Sequence, residues 1–332
     1  MIGRFLLTGA VVAPFAVGIL LSRADAGNVE FRFEDPEIVE SSGLVAQDGL
    51  FVTMNDSGDV GRVFAVDPTD GETAGVTRWS GDATDMEALA PAGDGGVWVG
   101  DIGDNTGARD SVRLYRVPVG IGDRDVTPQS WDLTYPGGAR DAETLMADPV
   151  TGRLYIASKS VFGGTLYAVP SNLGPGDNRL AAVGRVLPVA TDGAFFPDGK
   201  HVIVRDYSRA VVYSFPDLEE AGTFRLPNQR QGEGIAVDAA GSVFVSTEGQ
   251  HTSVLRVSLP SALRHLVTPR SAGGQSATPD VDAPAVVQPS GDTPDAERWT
   301  WQGRPWWTYA VVGWVGLVVL AVLVRGVRRL RR

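Results

Sequence analysis

Short apolar runs, separated by Gly, Pro, Asp and Asn, make up most of residues 27–260. Runs such as 154–157 and 201–204 are rich in β-branched and aromatic side chains, which favour β-strands. The residues between the runs favour turns. This part of the chain has no convincing amphipathic helix pattern. The pattern therefore predicts an all-β domain.

One unit recurs along this part of the chain. It has a short motif that ends in an apolar residue, a β-run that ends in polar residues, and a run of the form Leu-Tyr-x-Val. The first motif occupies residues 40–44, 85–89, 141–145, 191–195 and 231–235. The polar-ended run occupies residues 51–56, 97–101, 154–159, 201–206 and 243–248. The third run occupies residues 63–66, 114–117, 166–169, 211–215 and 254–257.

The spacing of these units predicts a β-propeller. Successive units lie 45, 56, 50 and 40 residues apart, and repeats of this length with three or four strands each are typical of propeller blades. We therefore expect a single propeller of five blades. Six blades is the alternative, because the long second unit could contain a degenerate blade. A β-sandwich is disfavoured because it needs no fivefold recurrence.

The two ends of the repeat predict how the ring closes. Residues 75–79 give the first unit a fourth strand, whereas the fifth unit stops after its third run. Residues 29–33 precede the first unit and can supply the missing strand. Pairing the two ends of the domain in this way would leave no open sheet edge.

The N-terminus has the three parts of a secretory signal peptide: Arg4, an apolar run over 5–21, and small residues at Ala24 and Ala26. We expect a signal peptide over residues 1–26, with cleavage after Ala26. A retained N-terminal membrane anchor is the alternative, because the apolar run is long.

The C-terminus predicts a transmembrane helix over residues 305–324. No residue from Trp306 to Val324 is charged, which is about enough to cross a bilayer core. A basic tail over 325–332 marks the cytoplasmic side, and tryptophans gather before the span, as is typical of the outer interface. The sequence thus predicts a single-pass cell-membrane protein with an extracytoplasmic propeller over 27–262. Residues 263–304, rich in Pro, Ala, Ser and Asp, predict a disordered stalk.

Composition excludes several function classes. The chain has a net charge of −11, and five of its 29 basic residues lie in the C-terminal tail, so the outer domain is more acidic still and nucleic-acid binding is not expected. There is no cysteine, which excludes disulfides and cysteine chemistry, and the three histidines are too scattered to indicate a zinc site. No motif for an organic cofactor is present.

The polar residues of the repeat should meet in the central channel, which the first strand of each blade lines. The recurring motif places one tier at Glu40, Asp85, Asp141, Thr191 and Gln231, and the next at Ser42, Glu87, Glu143, Gly193 and Glu233. The ends of the second strands add Asn55, Asp56, Asp101, Lys159, Arg205, Asp206 and Glu248. Carboxylates that share a channel repel one another and lose hydration, so they need cations, protons or basic partners.

Two interpretations of this ring remain open. In the first, four basic residues pair with the acids and the network only fixes the register of the blades; these residues are Lys159, Arg109, Arg140 and Arg205. In the second, a hard divalent cation such as Ca²⁺ binds among Glu87, Glu143 and Glu233, because such ions prefer several oxygen ligands. The ring contains both acidic and basic residues, which favours the first interpretation, a network of ion pairs. The oxygen-rich loop 100–105 would suit metal ligation, although its spacing is not that of an EF-hand.

Several motifs together resemble those of exported bacterial β-propeller proteins of mostly unassigned function, over about residues 38–250. They are Asn-Asp-Ser-Gly (55–58), Asp-Met-Glu-Ala-Leu (85–89), Gly-Asp-Ile-Gly-Asp-Asn (100–105), Asp-Ala-Glu-Thr-Leu (141–145), Pro-Asp-Gly-Lys (197–200) and Gln-Gly-Glu-Gly-Ile (231–235). The Asp-x-Glu elements are also similar to those of β-propeller phytases and esterase-like relatives, whose channel carboxylates bind calcium and phosphate esters. That resemblance implies calcium ligation by Asp85, Glu87, Asp141, Glu143 and Glu233. In this chain Ser42 and Gly193 stand where the resemblance leads us to expect Glu.

The candidate metal ligands are therefore Asp85, Glu87, Asp101, Asp141, Glu143 and Glu233, with Ca²⁺ as the candidate ion. The leading function is a membrane-anchored scaffold that binds an extracytoplasmic ligand or protein through its acidic channel mouth. The alternative is a divalent-metal-dependent hydrolase of a phosphate ester, ester or lactone, and a purely structural envelope module is a third option. A propeller fold does not decide among these.

Overall fold

The computed structural model describes residues 27–56, 58–81, 83–268, 300–301 and 304–305. The predicted signal peptide (1–26), most of the predicted stalk, residues 306–324 of the predicted transmembrane helix and the basic tail lie outside the described residues. Among the described residues, no helix is long and apolar enough to cross a membrane.

Five sheets, each built on four antiparallel strands, confirm the predicted five-bladed propeller. The first blade contains β2 (Ser41–Gln47), β3 (Leu50–Asn55), β4 (Arg62–Val66) and β5 (Thr73–Trp79). The second contains β6 (Met86–Pro91), β7 (Gly96–Asp101), β8 (Val112–Pro118) and β10 (Gln129–Thr134). The third contains β11 (Ala142–Ala147), β12 (Leu154–Ser158), β13 (Gly164–Ala168) and β15 (Ala181–Val186). The fourth contains β16 (Asp192–Phe195), β17 (His201–Arg205), β18 (Arg209–Ser214) and β19 (Glu220–Arg225). The fifth contains β20 (Ile235–Val237), β21 (Val243–Val245), β22 (Ser253–Val257) and β1 (Asn28–Arg32).

The innermost strands form a closed ring. β2 contacts β6, β6 contacts β11, β11 contacts β16, β16 contacts β20, and β20 contacts β2. The first strand of every blade therefore lines the central channel, as the repeat predicts. β2 and its counterparts each run from one mouth of the channel to the other.

The N-terminal strand closes the ring, as predicted for residues 29–33. β1 pairs antiparallel with β22, from Asn28 opposite Arg256 to Arg32 opposite Ser253. Both carboxylate oxygens of Glu30 accept hydrogen bonds from Arg256, at 2.9 and 3.0 Å. The first and last strands of the domain thus share one sheet, and the fifth blade gains its fourth strand.

The extra length of the second unit forms an edge strand rather than a sixth blade. β9 (Arg124–Val126) pairs in parallel with β5, at the outer edge of the first blade. In the third unit β14 (Asn178–Arg179) pairs in parallel with β10 of the second blade. Each of these segments covers an edge that would otherwise be open.

In the described part of the chain the hydrophobic core consists of five clusters, one at each interface between neighbouring blades. Successive residues of a strand point to opposite faces of its sheet, so each strand supplies two interfaces. In β3, Phe51 packs towards the fifth blade, whereas Val52 and Met54 pack towards the second. Phe33, which follows β1, is fully buried in the cluster that joins the fifth blade to the first.

One short helix follows the propeller. Helix α1 (Ser261–Val267) buries Leu263 and Val267, which are one helical turn apart, in the cluster between the fourth and fifth blades. The predicted domain boundary at residue 262 falls inside this helix. The remaining described residues form β23 (Thr300–Trp301) and β24 (Arg304–Pro305), which pair antiparallel in a separate unit.

Candidate functional site

Backbone irregularities place the polar tier at one mouth of the channel. The register of β6 with β7 shifts at Glu87, and the register of β11 with β12 shifts at Glu143. β2 carries a shift between Ser41 and Leu44, which includes Ser42. A β-bulge leaves one residue outside the ladder and changes the direction of its side chain. The same device therefore recurs at equivalent positions of three blades.

Three carboxylates meet between the first and second blades. Asp56 follows β3, Asp85 precedes β6, and Glu87 lies on the β6 bulge. One oxygen from each of these side chains lies within 4.8 Å of the others. Glu87 is buried, and its Oε2 accepts a hydrogen bond of 3.4 Å from the Ser42 hydroxyl. We call these three residues the acidic cluster.

The loop 100–105 supports the acidic cluster from one side. Its Gly103 donates a hydrogen bond of 3.1 Å from its backbone N–H to the carbonyl oxygen of Asp85. A Cβ atom at position 103 would lie 2.7 Å from Oε1 of Glu87, closer than a real contact allows. A side chain at position 103 would therefore push the carboxylates of Asp85 and Glu87 aside.

The two carboxylates of this loop, Asp101 and Asp104, stabilise the conformation of the loop and of the segments next to it. Asp101 is buried, pairs with Arg109 at 2.8 Å, and accepts hydrogen bonds from the N–H groups of Thr84 and Asp85 at 3.1 and 2.9 Å. Asp104 accepts from the N–H groups at 108 and 109, at 2.9 and 3.0 Å. Both groups thus position the loop.

In the third blade, Lys159 forms an ion pair with the channel carboxylate of Glu143. Nζ of Lys159, just beyond β12, donates to Oε1 of Glu143. The ammonium also lies 5.6 Å from the centre of the Tyr207 ring. The other oxygen of Glu143 is buried and has no hydrogen-bond partner among the described residues. Glu143 is therefore only half satisfied.

The fourth blade contributes a buried arginine, Arg205, which donates a hydrogen bond to a backbone carbonyl group. Nη1 of Arg205, which is fully buried, donates to the carbonyl oxygen of Gly234 at 3.0 Å. The neighbouring carboxylate of Asp192 accepts hydrogen bonds of 2.8 Å from the N–H groups of Gly193 and Ile235. These contacts join the fourth blade to the fifth. Nη2 of Arg205 has no hydrogen-bond partner among the described residues.

Burial and mutual repulsion shift the titration of the channel glutamates. Burial, followed by the charges of Glu143 and Asp56, raises the pKa of Glu87 to about 10. Burial, followed by the charge of Glu143, raises the pKa of Glu233 to about 8. Burial raises the pKa of Glu143 itself to about 7, although Lys159 acts in the opposite direction. At neutral pH the site therefore holds protons that a cation could replace.

The structure brings the six predicted metal ligands to one mouth but gives them different roles. Asp85 and Glu87 belong to the acidic cluster, and Glu143 and Glu233 are buried neighbours whose charges interact. Asp101 is engaged by Arg109, as described above. The remaining residue is Asp141, whose carboxylate accepts a hydrogen bond of 2.9 Å from the N–H of Asp104 and acts to raise the pKa of Glu143.

Sequence reasoning placed Asp56 at this mouth but did not select it as a ligand. Its position was nevertheless visible, because it is the last polar residue of the first unit's second run. Of the four basic residues expected to neutralise the ring, Lys159 and Arg109 form ion pairs with its acids. Arg140 instead donates to the carbonyl oxygen of Ala139 at 2.7 Å.

Comparison with known proteins adds no assignment to this geometry. No model of a known protein family matches the chain, and no curated protein matches it. The contacts and charges of the mouth are therefore the basis on which its chemistry is judged.

Proposed function

We propose that this protein is a membrane-anchored, extracytoplasmic binding scaffold whose acidic cluster holds a divalent cation such as Ca²⁺. The ion would complete the channel mouth as a surface for an extracytoplasmic ligand or protein. The observation that carries the proposal is the convergence of Asp56, Asp85 and Glu87, with ligand oxygens within 4.8 Å of one another.

The size of the acidic cluster is suited to a single hard cation. Calcium binds oxygen at about 2.3–2.6 Å, so ligands on opposite sides of one ion lie about 5 Å apart. The three oxygens lie within 4.8 Å of one another, so one ion could contact all three. Calcium takes about six to eight oxygens, and water or a ligand would supply the rest.

The charge balance also favours a cation at this place. Lys159 acts mainly on Glu143, and Arg109 acts mainly on Asp101. Burial and the charges of Glu143, Asp56 and Asp85 raise the pKa of Glu87 to about 10, although Lys159 acts in the opposite direction, so like charges outweigh the opposite charge around this side chain. A divalent ion would offset this repulsion and displace the proton of Glu87.

Calorimetric titration of calcium into chelator-treated protein tests this proposal. We expect one ion to bind per chain with release of about one proton at pH 7, detected by repeating the titration in buffers of different ionisation enthalpy. Asp85→Asn should weaken binding at least about tenfold by removing a ligand charge. Asp110→Asn, an exposed change in the β7–β8 turn, is the matched control and should bind as the wild type does. Absence of calcium binding in the wild type would overturn the cation site.

The membrane anchor and the external location rest on the sequence of the two ends. Intact-mass measurement of protein extracted from membranes should give a chain that begins at Gly27. Protease added to whole cells should remove the propeller and leave the basic tail protected. A mass that includes residues 1–26, or a protected propeller, would contradict this part of the proposal.

Hydrolysis is the alternative function, and the raised pKa of Glu143 supports it. A carboxyl group whose pKa is about 7 is suited to exchange protons near neutral pH. Such an enzyme would use the cation to polarise a phosphate ester, ester or lactone. Calcium-dependent release of p-nitrophenol from its phosphate or acetate, lost in Glu143→Gln, would support this alternative.

A further inference from the structure

A cavity of about 720 Å³ opens at the end of the channel opposite the acidic cluster. It is lined by the second halves of the five innermost strands and by the turns that follow them. We call it the funnel. The proposed function makes no use of the funnel, because the acidic cluster lies at the other mouth.

The wall of the funnel is largely apolar. Ala46, Pro91 and Ala147 line it near the ends of β2, β6 and β11, and each keeps part of its surface exposed. The half-buried indole of Trp98 on β7 widens this surface. Cavities of about 300–1,000 Å³ with mainly apolar walls are typical of small-molecule sites. The wall is thus suited to an apolar body of that size.

The charged residues of the funnel are predominantly acidic. Its lining includes four carboxylates and one guanidinium, those of Glu30, Asp48, Asp148, Asp238 and Arg256. Two of these five neutralise each other, because Glu30 holds Arg256 through two hydrogen bonds. Three carboxylates therefore set the sign of the field at the rim, and the funnel should attract a positive group.

We propose that the funnel binds amphipathic amines, with the apolar body against the wall and a terminal ammonium at the acidic rim. Asp48 is the rim group most open to such a ligand, since it is exposed at the tip of the β2–β3 turn. Asp148 and Asp238 are tied into turns, the first by the N–H of Val150 at 2.9 Å and the second by the N–H of Ser242 at 2.7 Å. Asp148 and Asp238 therefore contribute negative charge to the rim, but their carboxylates are not free to move towards a bound amine.

Three probes of matched shape test this proposal on the full-length chain: 4-phenylbutylamine, 4-phenylbutanol and 4-phenylbutyrate. Calorimetry should give the tightest binding for the amine, about tenfold weaker binding for the alcohol, and weaker binding again for the carboxylate. Equal affinities for all three would overturn the charge assignment. No binding of the amine would overturn the site.

Two variants localise the binding. Asp48→Asn should reduce the preference for the amine over the alcohol about fivefold. Asn is compatible with the φ of 51° at this position, so the turn is kept. Ala147→Phe should fill the wall and weaken all three probes, with an unchanged circular dichroism spectrum and cooperative unfolding as evidence of correct folding. If instead the wild type dimerises at high concentration and Ala147→Phe prevents it, the occupant is a second copy of the chain and the proposal is wrong.

Discussion

Replacing Glu87 with Gln should stabilise the propeller in the absence of metal, although Glu87 lies at the proposed cation site. Gln keeps the shape of the side chain and has no proton to lose. In the wild type the pKa of Glu87 is raised to about 10 in the folded chain, from an ordinary value of 4.5. The folded state must therefore keep a proton that the unfolded state releases above pH 4.5.

This difference sets the direction and size of the effect. Because the folded pKa is the higher one, the wild type loses stability as pH rises from 4.5 towards 10. The loss is about 1.4 kcal/mol per pH unit, which amounts to about 3 kcal/mol at pH 7. Glu87→Gln should escape this loss, so its advantage should reach about 3 kcal/mol at pH 7 and vanish near pH 4.

Urea denaturation at pH 5, 7 and 8.5, with chelator and with calcium, measures these differences. With calcium at a thousandfold excess over its Kd the order should reverse at pH 7, because the wild type then gains about 4.1 kcal/mol, more than the advantage of the variant, whereas the variant lacks a ligand. Glu72→Gln, an exposed change in the β4–β5 turn, is the control and should follow the wild type throughout. A variant that is less stable than the wild type at pH 7 in chelator would show that Glu87 is ionised and paired, and would refute the reasoning.

Three further changes probe the rest of the molecule. Glu143→Gln should raise the free energy of unfolding at pH 7 by at most about 3 kcal/mol, because the pKa of about 7 in the folded chain lies above the ordinary value of 4.5 and Gln has no proton to lose; urea titration in chelator checks this, and a midpoint that is unchanged or lower would contradict it. Phe33→Ala should cost about 3–5 kcal/mol by emptying the cluster that closes the ring, and a melting temperature close to that of the wild type would argue against that closure. Ending the chain at residue 260 instead of 268 removes α1 with its two buried side chains, and should lower stability by at most about 4 kcal/mol; equal melting curves would show that α1 does not support the core.

The repeat could be predicted because each blade repeats a local pattern of strands and turns. Residues 29–33 were recognisable as the closing strand because the fifth unit lacked one. In contrast, β9 and β14 have two or three residues each and no apolar alternation, and their pairing depends on the neighbouring blade. Helix α1 was not predicted because its two buried residues, Leu263 and Val267, are too few to give a helical pattern in the sequence. They become part of the core only by packing between the fourth and fifth blades.

The site was predictable as a collection of residues but not as an arrangement. The motif spacing brought Glu87 and Glu143 to the same tier. It did not reveal the bulges that re-aim them, because a bulge is a property of the register between two strands. Nor did it show that Arg109 engages Asp101, which depends on the path of loop 100–105.

The closing strand also has a consequence for how the chain reaches its folded state. Of the propeller strands that the structure describes, β1 is the first to be synthesised and β22 is the last, and the bonded residues Glu30 and Arg256 are 226 positions apart. The loop between them must close before the fifth blade is complete, and contacts so distant in sequence slow folding. Until then β1 has no partner and the edge of β22 is open, so an incomplete chain presents two strands able to pair with other chains. We therefore expect the last step of folding to be the docking of β1, and truncated chains to be more prone to aggregation than the complete propeller.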